Sequence, residues 1–126
     1  MAGALVFWPP DGEGDVPLRF TPEVPSPVPG ADQSRWGYPI TLQVSRPRPE
    51  EPLDLTLTLT RGADGSGEPV PCIFLTPDAP RNPEVAPEDA WCLIPEAALE
   101  PRTTYTVRAV RADGTESRTT RFTTGR

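Results

Sequence analysis

The sequence predicts an all-β protein, an antiparallel sandwich of about seven to eight short strands, from three observations. Apolar and polar residues alternate with a period of two in several short segments, the spacing of a strand that buries one face. The 126 residues include 19 prolines, and each proline removes a backbone donor and fixes φ. The prolines therefore exclude long helices and central strands wherever they fall. Turn residues separate the alternating segments at short intervals, as in sandwiches and small barrels.

Three strand segments are predicted in the first 45 residues. Ala4–Trp8 is a short apolar run without a basic flank, so it resembles a strand more than a signal-peptide core. Leu18–Phe20 is a second short segment. Ile40–Ser45 alternates three aliphatic residues with Thr, Gln and Ser, which predicts one buried and one polar face.

The segment Leu53–Thr60 has the strongest strand pattern of the chain. Four leucines alternate with one aspartate and three threonines, so a period of two holds over eight residues. Burial of four leucines contributes about 6–12 kcal/mol before the loss of conformational entropy is subtracted. The glycine-rich stretch Gly62–Gly67 then predicts a hairpin-type connection to a strand at Val70–Thr76.

The last third of the chain predicts three more strands. Trp91–Ile94 is a short strand between two proline-bearing loops, and Pro95–Leu99 is the one segment that could hold a helical turn. Thr104–Ala109 alternates strictly, and the Asp-Gly dipeptide at 113–114 predicts a hairpin to Ser117–Thr124. No strand alternates with a helix, which excludes a parallel α/β sheet.

The stretch from Leu99 to Val107 predicts a tyrosine corner. A leucine is followed two residues later by a proline, and a Thr-x-Tyr sequence then opens a strand, as in Greek-key sandwiches. In this motif the ring packs at the rim of the sandwich and its hydroxyl bonds backward to the chain. Leu99, Pro101 and Tyr105 are therefore predicted to be structural.

With this motif, the chain resembles the bacterial immunoglobulin-like (fibronectin-III-like) domain that follows CAP (SCP-type) domains in exported bacterial proteins. The resemblance covers most of the chain and depends on the order and spacing of its pieces. Cys72 and Cys92 depart from it, because both stand at positions that are aliphatic in the family pattern. The matching residues are Pro10–Gly12, Val16–Pro17, Phe20, Glu23–Pro25, Pro27, Pro29–Gly30, Gly37–Thr41, Pro69–Pro71, Leu75–Pro77, Leu93–Pro95, Leu99–Val107 and Phe122–Thr124.

The resemblance implies an immunoglobulin-like Greek-key sandwich that spans residues 1–126 as a single domain, excised from a longer protein. It implies no catalytic residue and no cofactor. The implied function is that of a non-catalytic accessory or spacer module, extracellular or at the cell surface. Its expected partner is a neighbouring domain of the parent chain, such as a CAP domain, and the missing signal peptide then says nothing about that parent.

The charge balance excludes two classes of partner. The chain has 18 acidic residues, 12 arginines and neither lysine nor histidine, for a net charge of −6. Nucleic acids and anionic membrane surfaces both attract clustered basic groups. No apolar run approaches the roughly 18 residues of a spanning helix. We therefore expect no nucleic-acid partner and no membrane span.

The residue types exclude most catalytic and metal sites. Without histidine, Ser-His-Asp and Cys-His systems and His-ligated zinc are impossible, and without lysine so is a Ser-Lys pair. The stretch from Asp11 to Asp15 alternates acids with glycines like a calcium loop, but Pro22 stands where such a loop needs a bidentate acid. This stretch is therefore predicted to be an acidic, solvated turn. No catalytic residue, metal or cofactor is expected.

Cys72 and Cys92 leave two structural interpretations open. Two ligands are too few for zinc, and no electropositive neighbour predicts a reactive thiol. If the two strands are neighbours, a disulfide would close the proline-rich loop between them and contribute about 3 kcal/mol. The alternative is two separate buried thiols.

The tryptophans receive separate interpretations. Trp91 lies within a predicted strand and is assigned to the core, and Trp8, which precedes two prolines, is expected to cap one end of the sandwich. Trp36 and Tyr38 lie in a loop, where flat rings either pack locally or stack on a sugar or a proline-rich peptide. They are the candidate ligand-facing residues of the alternative function, a carbohydrate (cell-wall glycan) or protein binding module. That alternative requires both rings to be exposed.

Overall fold

Eight strands form two sheets in the described part of this protein. The computed structural model describes residues 4–20, 33–45, 55–64, 66–76, 90–112, 114 and 117–126, and the structural statements below concern these residues. One 3-10 turn, Gln33–Arg35, precedes the third strand. The strands are β1 (Ala4–Trp8), β2 (Glu13–Val16), β3 (Ile40–Ser45), β4 (Leu55–Arg61), β5 (Cys72–Leu75), β6 (Ala90–Pro95), β7 (Thr104–Arg111) and β8 (Ser117–Thr124).

The predicted all-β sandwich is confirmed. The first sheet has the strand order β1-β3-β6-β5, and the second has the order β2-β8-β7-β4. Neighbouring strands are antiparallel, except that β2 runs parallel to β8. Alternation located β3, β4 and β7 to within two residues in the described part of the chain, because each of them buries its inward side chains. Strand β8, which the Asp-Gly dipeptide predicts, is also present.

The second strand lies elsewhere than predicted. Leu18–Phe20 forms only an isolated bridge, between Arg19 and Gly37. The actual strand β2 is the Glu-Gly-Asp-Val segment, which the sequence analysis assigned to a turn. Three of its four residues are exposed and only Val16 is buried, so the alternation that marks other strands is missing. Its pairing with β8, rather than its composition, makes it a strand.

The connection after β4 is a hairpin that then leaves its sheet. The backbone N–H of Arg61 donates to the Glu68 carbonyl at 2.9 Å, and that of Val70 donates to the Leu59 carbonyl at 2.9 Å. The chain then crosses to the first sheet, where β5 pairs with β6. The segment after Pro95, which could have held a helical turn, contains bends and no helix.

The main core lies between the two sheets. The leucines of β4 face inward, as the alternation predicts, and they meet the inward side chains of β3, β6, β7 and β8. Trp91 is buried in this core, as its strand position predicts. The largest contributors are Ile40, Leu42, Leu55, Leu57, Leu59, Trp91, Leu93, Tyr105, Val107 and Phe122.

A second, smaller cluster covers part of the outer face of the first sheet. Phe20 and Trp36 pack against Ile94, with Ile73 and Leu75 alongside. In the antiparallel ladders, Ile73 and Ile94 are direct partners and therefore share one face of the sheet. The β5–β6 half of this face is thus covered. The β1–β3 half carries exposed side chains, including Val6 and Trp8.

The described chain runs from one end of the sandwich to the other. We call the end that holds Pro95, Thr104 and Thr124 the corner end, and the end of the β7–β8 turn the hairpin end. Strand β6 runs toward the corner end. Strand β3 is antiparallel to β6, and β1 is antiparallel to β3, so β1 also runs toward the corner end. Because β2 and β8 are parallel, both also run toward the corner end. The chain therefore begins β1 near the hairpin end and leaves β8 at the corner end.

Candidate functional site

Trp36 is not available to a ligand. Its side chain is only 4% exposed, and its ring meets Phe20 edge-on with centroids 5.1 Å apart. The Phe20 N–H donates to the Trp36 carbonyl at 3.1 Å, which ties the two segments together. Of the two interpretations of Trp36, the ligand-facing one is therefore wrong, because the loop folds back onto the outer face of the first sheet and buries the indole in the smaller cluster.

Tyr38 pairs with Trp8 instead of Trp36. Tyr38 is half-buried against the main core, and its hydroxyl accepts a hydrogen bond of 3.0 Å from Nε1 of Trp8. Trp8 is 53% exposed on the outer face of the edge strand β1, so it does not close an end of the sandwich as expected. The structure thus separates the two rings of the glycan hypothesis and brings a different, surface-exposed indole to Tyr38.

The predicted tyrosine hydrogen bond is present. The backbone N–H of Glu100 donates to the Tyr105 hydroxyl at 2.9 Å, five residues upstream of the ring. Tyr105 is buried and stacks on Phe122, with centroids 5.5 Å apart and ring planes 19° apart. Leu99 is buried, and its N–H donates to the Leu18 carbonyl. Pro101 is exposed and stands in the turn before the strand.

The corner is also joined to the end of β8. The Thr124 hydroxyl donates to the Glu100 carbonyl at 2.5 Å and accepts from the Thr103 N–H at 2.9 Å. Thr124 is itself buried, so its hydroxyl replaces water for two backbone groups. Arg102, at φ 50°, makes the sharp turn, and its N–H donates to the Gly125 carbonyl. These contacts give the corner a structural role.

The hydroxyl of Tyr105 gives the first testable prediction. We expect Tyr105→Phe to lower the free energy of unfolding by about 1–2 kcal/mol, because the Glu100 N–H loses its partner in a part-buried place. The other tyrosine of the chain provides the control. Tyr38→Phe removes an exposed hydrogen bond and should cost less than about 0.5 kcal/mol. Urea denaturation followed by fluorescence measures both, and equal losses would contradict the prediction.

Of the two interpretations of Cys72 and Cys92, the disulfide is wrong. In the β5–β6 ladder, Cys72 pairs with Pro95 and Leu75 pairs with Cys92. The cysteines are therefore offset by three residues, about 10 Å along the strands, whereas bridged Cα atoms lie within about 7 Å. An odd offset also places them on opposite faces, so Cys72 packs toward the main core and Cys92 toward the smaller cluster. Each is a separate, half-buried thiol, the second interpretation given above.

The Cys72 thiol gives a second prediction, which concerns alkaline stability. Burial, and then the negative charge of Glu96, raise the pKa of Cys72 from 9.0 to about 12. Because the folded state holds this proton more tightly, its contribution to stability is present below pH 9.0 and is lost as the pH rises toward about 12. Denaturation curves across this range should fall more steeply for the natural protein than for Cys72→Ala. Parallel curves would contradict this assignment.

Two shallow grooves among the described residues are lined partly by polar groups. The corner groove, about 320 Å³, lies beside Tyr105, and an ion pair of 3.3 Å joins Arg61 Nη2 to Glu100 Oε1 there. The second groove, about 290 Å³, lies on the outer face of the second sheet and is lined by threonines with Arg108, Arg121 and Asp64. Hydrogen bonds from Ser66 lower the pKa of Asp64 below its ordinary value.

The described residues contain no metal cluster and no long apolar helix. No group of three or more Cys, Asp or Glu side chains in this part of the chain is arranged to hold a metal ion. None of its helical elements has the length and apolarity of a membrane span. Comparison of the chain with protein-family models and with curated proteins finds no match.

Sequence reasoning missed the surface formed by Val6 and Trp8. The apolar run Ala4–Trp8 predicts a strand, and a run that is apolar at every position is typical of a strand covered on both faces. The structure places this run at the edge of the first sheet, with Val6 and Trp8 58% and 53% exposed. The absence of any charged residue from an edge strand is the signal, but it becomes visible only once the strand order is known.

Proposed function

We propose that this chain is a non-catalytic, immunoglobulin-like spacer module of an exported bacterial protein, which holds a neighbouring domain at a fixed separation. The strand order supports the first part of this proposal. When β1 and β3–β8 are lettered A to G in chain order, the sheets have the orders A-B-E-D and G-F-C, with β2 added beyond G. This is the order of the immunoglobulin constant-type sandwich. The hydrogen-bonded Tyr105 at the start of strand F agrees with it.

The observation that carries the spacer role is the parallel pairing of β2 with β8. Glu13 pairs with Phe122 and Val16 with Thr124. Two backbone hydrogen bonds extend the pairing at its ends, from the Gly12 N–H to the Arg121 carbonyl at 2.7 Å and from the Gly125 N–H to the Val16 carbonyl at 3.0 Å. The second described strand is thereby joined directly to the last.

This pairing has a mechanical consequence for a module between two neighbours. Tension between the neighbours enters through β1, near the hairpin end, and leaves through β8, at the corner end. Once it passes β1, it pulls β2 and β8 in opposite directions. In parallel strands such a load falls on all the connecting hydrogen bonds together and does not open them one at a time. The Asp11 carboxylate adds one more bond, because its Oδ1 accepts from the Arg121 N–H at 2.9 Å. A module of this kind resists extension.

Single-molecule force spectroscopy tests the spacer role. The chain is placed in tandem between marker domains and pulled through its termini. We expect Asp11→Ala to lower the mean unfolding force clearly while changing the equilibrium free energy by less than about 1 kcal/mol, because Asp11 is exposed but bridges the loaded strands.

Asp64→Ala is the matched control for this experiment. Asp64 is also exposed and also accepts a backbone hydrogen bond, but its donor is Ser66 within the same turn. The control should leave the unfolding force unchanged. Equal unfolding forces for the natural protein, Asp11→Ala and Asp64→Ala would refute the load-bearing role. Extension of the natural protein without a distinct unfolding event, as for an unstructured chain, would also refute it.

A further inference from the structure

The edge strand β1 carries no charge and has an exposed apolar face. The other edge of the same sheet, β5, is also uncharged, but all four of its side chains are partly buried. The sequence of β1 is Ala-Leu-Val-Phe-Trp, in a chain with a net charge of −6. Val6 and Trp8 expose 58% and 53% of their area on the outer face. Leu5 and Phe7 point the other way and are only half-buried against the core. Both faces of this strand therefore have apolar area left uncovered.

The backbone of β1 is also available for pairing. Among the described strands, β1 pairs with β3 alone, so the backbone groups along its other edge have no strand partner in this part of the chain. The edge strand β2 contrasts with it. Its Glu13 and Asp15 are exposed, and Asp15 has φ 54°, so charge and irregular backbone protect that edge from strand addition. Strand β1 itself contains no charged residue and, among the described residues, no positive-φ residue.

The exposed Trp8 side chain of β1 is also held in a fixed position. Nε1 of Trp8 donates to the Tyr38 hydroxyl at 3.0 Å, which satisfies the polar atom of the indole and holds the ring on the outer face. The residues directly opposite on β3 are Thr41 and Gln43, which are uncharged. A partner therefore meets a fixed, uncharged, largely apolar surface beside an open strand edge.

We propose that β1 is a dimerisation edge, at which a second copy of this chain pairs antiparallel through its own β1. The occupant must be an extended strand, because backbone groups need partners, and it must be uncharged, because β1 offers no counter-charge. The β1 strand of a second copy meets both conditions. Two acidic molecules also approach each other with least repulsion where neither carries charge.

The proposed pairing gives a symmetric dimer. A two-fold axis at Val6 places Val6 opposite Val6 of the second copy, and Leu5 opposite Phe7 of the second copy, so that apolar residues meet on both faces. The two first sheets become one sheet of eight strands, with β5 at both of its edges. On each copy the β1 edge is then used. Strand addition through β1 therefore ends at the dimer.

Sedimentation velocity over a concentration series tests this pairing on the full chain. We expect a concentration-dependent dimer. Val6→Lys should weaken association at least tenfold, because the two-fold axis brings two ammonium groups together. Gln43→Lys is the matched control: it adds the same charge to the same face one strand inward, and its two copies lie about 14 Å apart across three strand spacings. Val6 is exposed, so both variants should fold, which circular dichroism checks.

Disulfide trapping gives a second, independent measurement. In a background with Cys72→Ala and Cys92→Ala, Val6→Cys should cross-link two chains on mild oxidation, since directly opposed residues have Cβ atoms about 4.5–5.5 Å apart. Gln43→Cys should not cross-link. A monomer at every concentration, a dimer unaffected by Val6→Lys, equal cross-linking of both cysteine variants, or species larger than a dimer would each overturn the proposal.

Discussion

Gly37→Ala is expected to destabilise the protein by about 3 kcal/mol or more, or to prevent folding, because no side chain fits at this position. A Cβ atom built on Gly37 would lie 2.6 Å from the Ala97 carbonyl oxygen and 2.8 Å from Cβ of Pro95. The nearest obstacle is backbone and cannot rotate away. The Gly37 N–H also donates to the Pro95 carbonyl at 2.9 Å, so a shift that relieves the clash lengthens this hydrogen bond.

Gly14→Ala is the control for this prediction. Gly14 lies in β2, and a Cβ built there meets no atom within 4 Å. Its replacement should change stability by less than about 1 kcal/mol. Chemical denaturation followed by tryptophan fluorescence compares the two variants with the natural protein. A Gly37→Ala variant as stable as Gly14→Ala would show that the contact with Ala97 and Pro95 is looser than the structure describes.

The close approach at Gly37 explains a motif that the sequence could identify but not account for. Gly-Tyr-Pro at 37–39 is one of the pieces that carry the resemblance to bacterial immunoglobulin-like domains. Its glycine is needed because the strand bridge to Arg19 and the end of β6 meet there. That requirement is set by Pro95 and Ala97, almost 60 residues away in the chain. No local pattern contains this information.

The part of the fold that could be predicted is the part that buries one face of a strand. In β4 the three described leucines are buried and alternate with threonines that are more exposed, so its period of two follows directly from its environment. Strand β2 could not be predicted in this way, because Glu-Gly-Asp-Val has one buried residue and is held by backbone bonds to β8. Alternation of apolar and polar residues indicates a strand with one buried face, whereas a strand that pairs at an exposed edge shows no such alternation in its sequence.

The errors at the candidate site have a common physical origin. Trp36 and Trp8 were assigned from their neighbours in sequence, but their exposure depends on which half of the first sheet is covered by the segment that holds Phe20. The choice between a disulfide and two separate thiols needed the register between β5 and β6, and the observed offset of three residues separates Cys72 from Cys92. A shift in register by one residue moves every side chain to the opposite face. The missing information is thus the position of the covering segment for the tryptophans and the strand register for the cysteines.

Phe122→Ala should lower the free energy of unfolding by about 3–5 kcal/mol, because it opens a cavity where the corner meets the core. Phe122 is 2% exposed, and it is the direct cross-strand partner of Tyr105, on which it stacks. Thr119→Ala, at an exposed position of the same strand, is the control and should cost no more than about 0.5 kcal/mol. Thermal and urea denaturation measure both variants.

A double-mutant cycle with Tyr105→Phe separates packing from hydrogen bonding at this corner. If the Tyr105 hydroxyl bond to Glu100 depends on a ring held in place by Phe122, the combined loss will be smaller than the sum of the single losses by at least about 0.5 kcal/mol. Simple additivity would mean that the upstream backbone alone positions the tyrosine. In that case the stack would contribute to the core but not to the order of the corner.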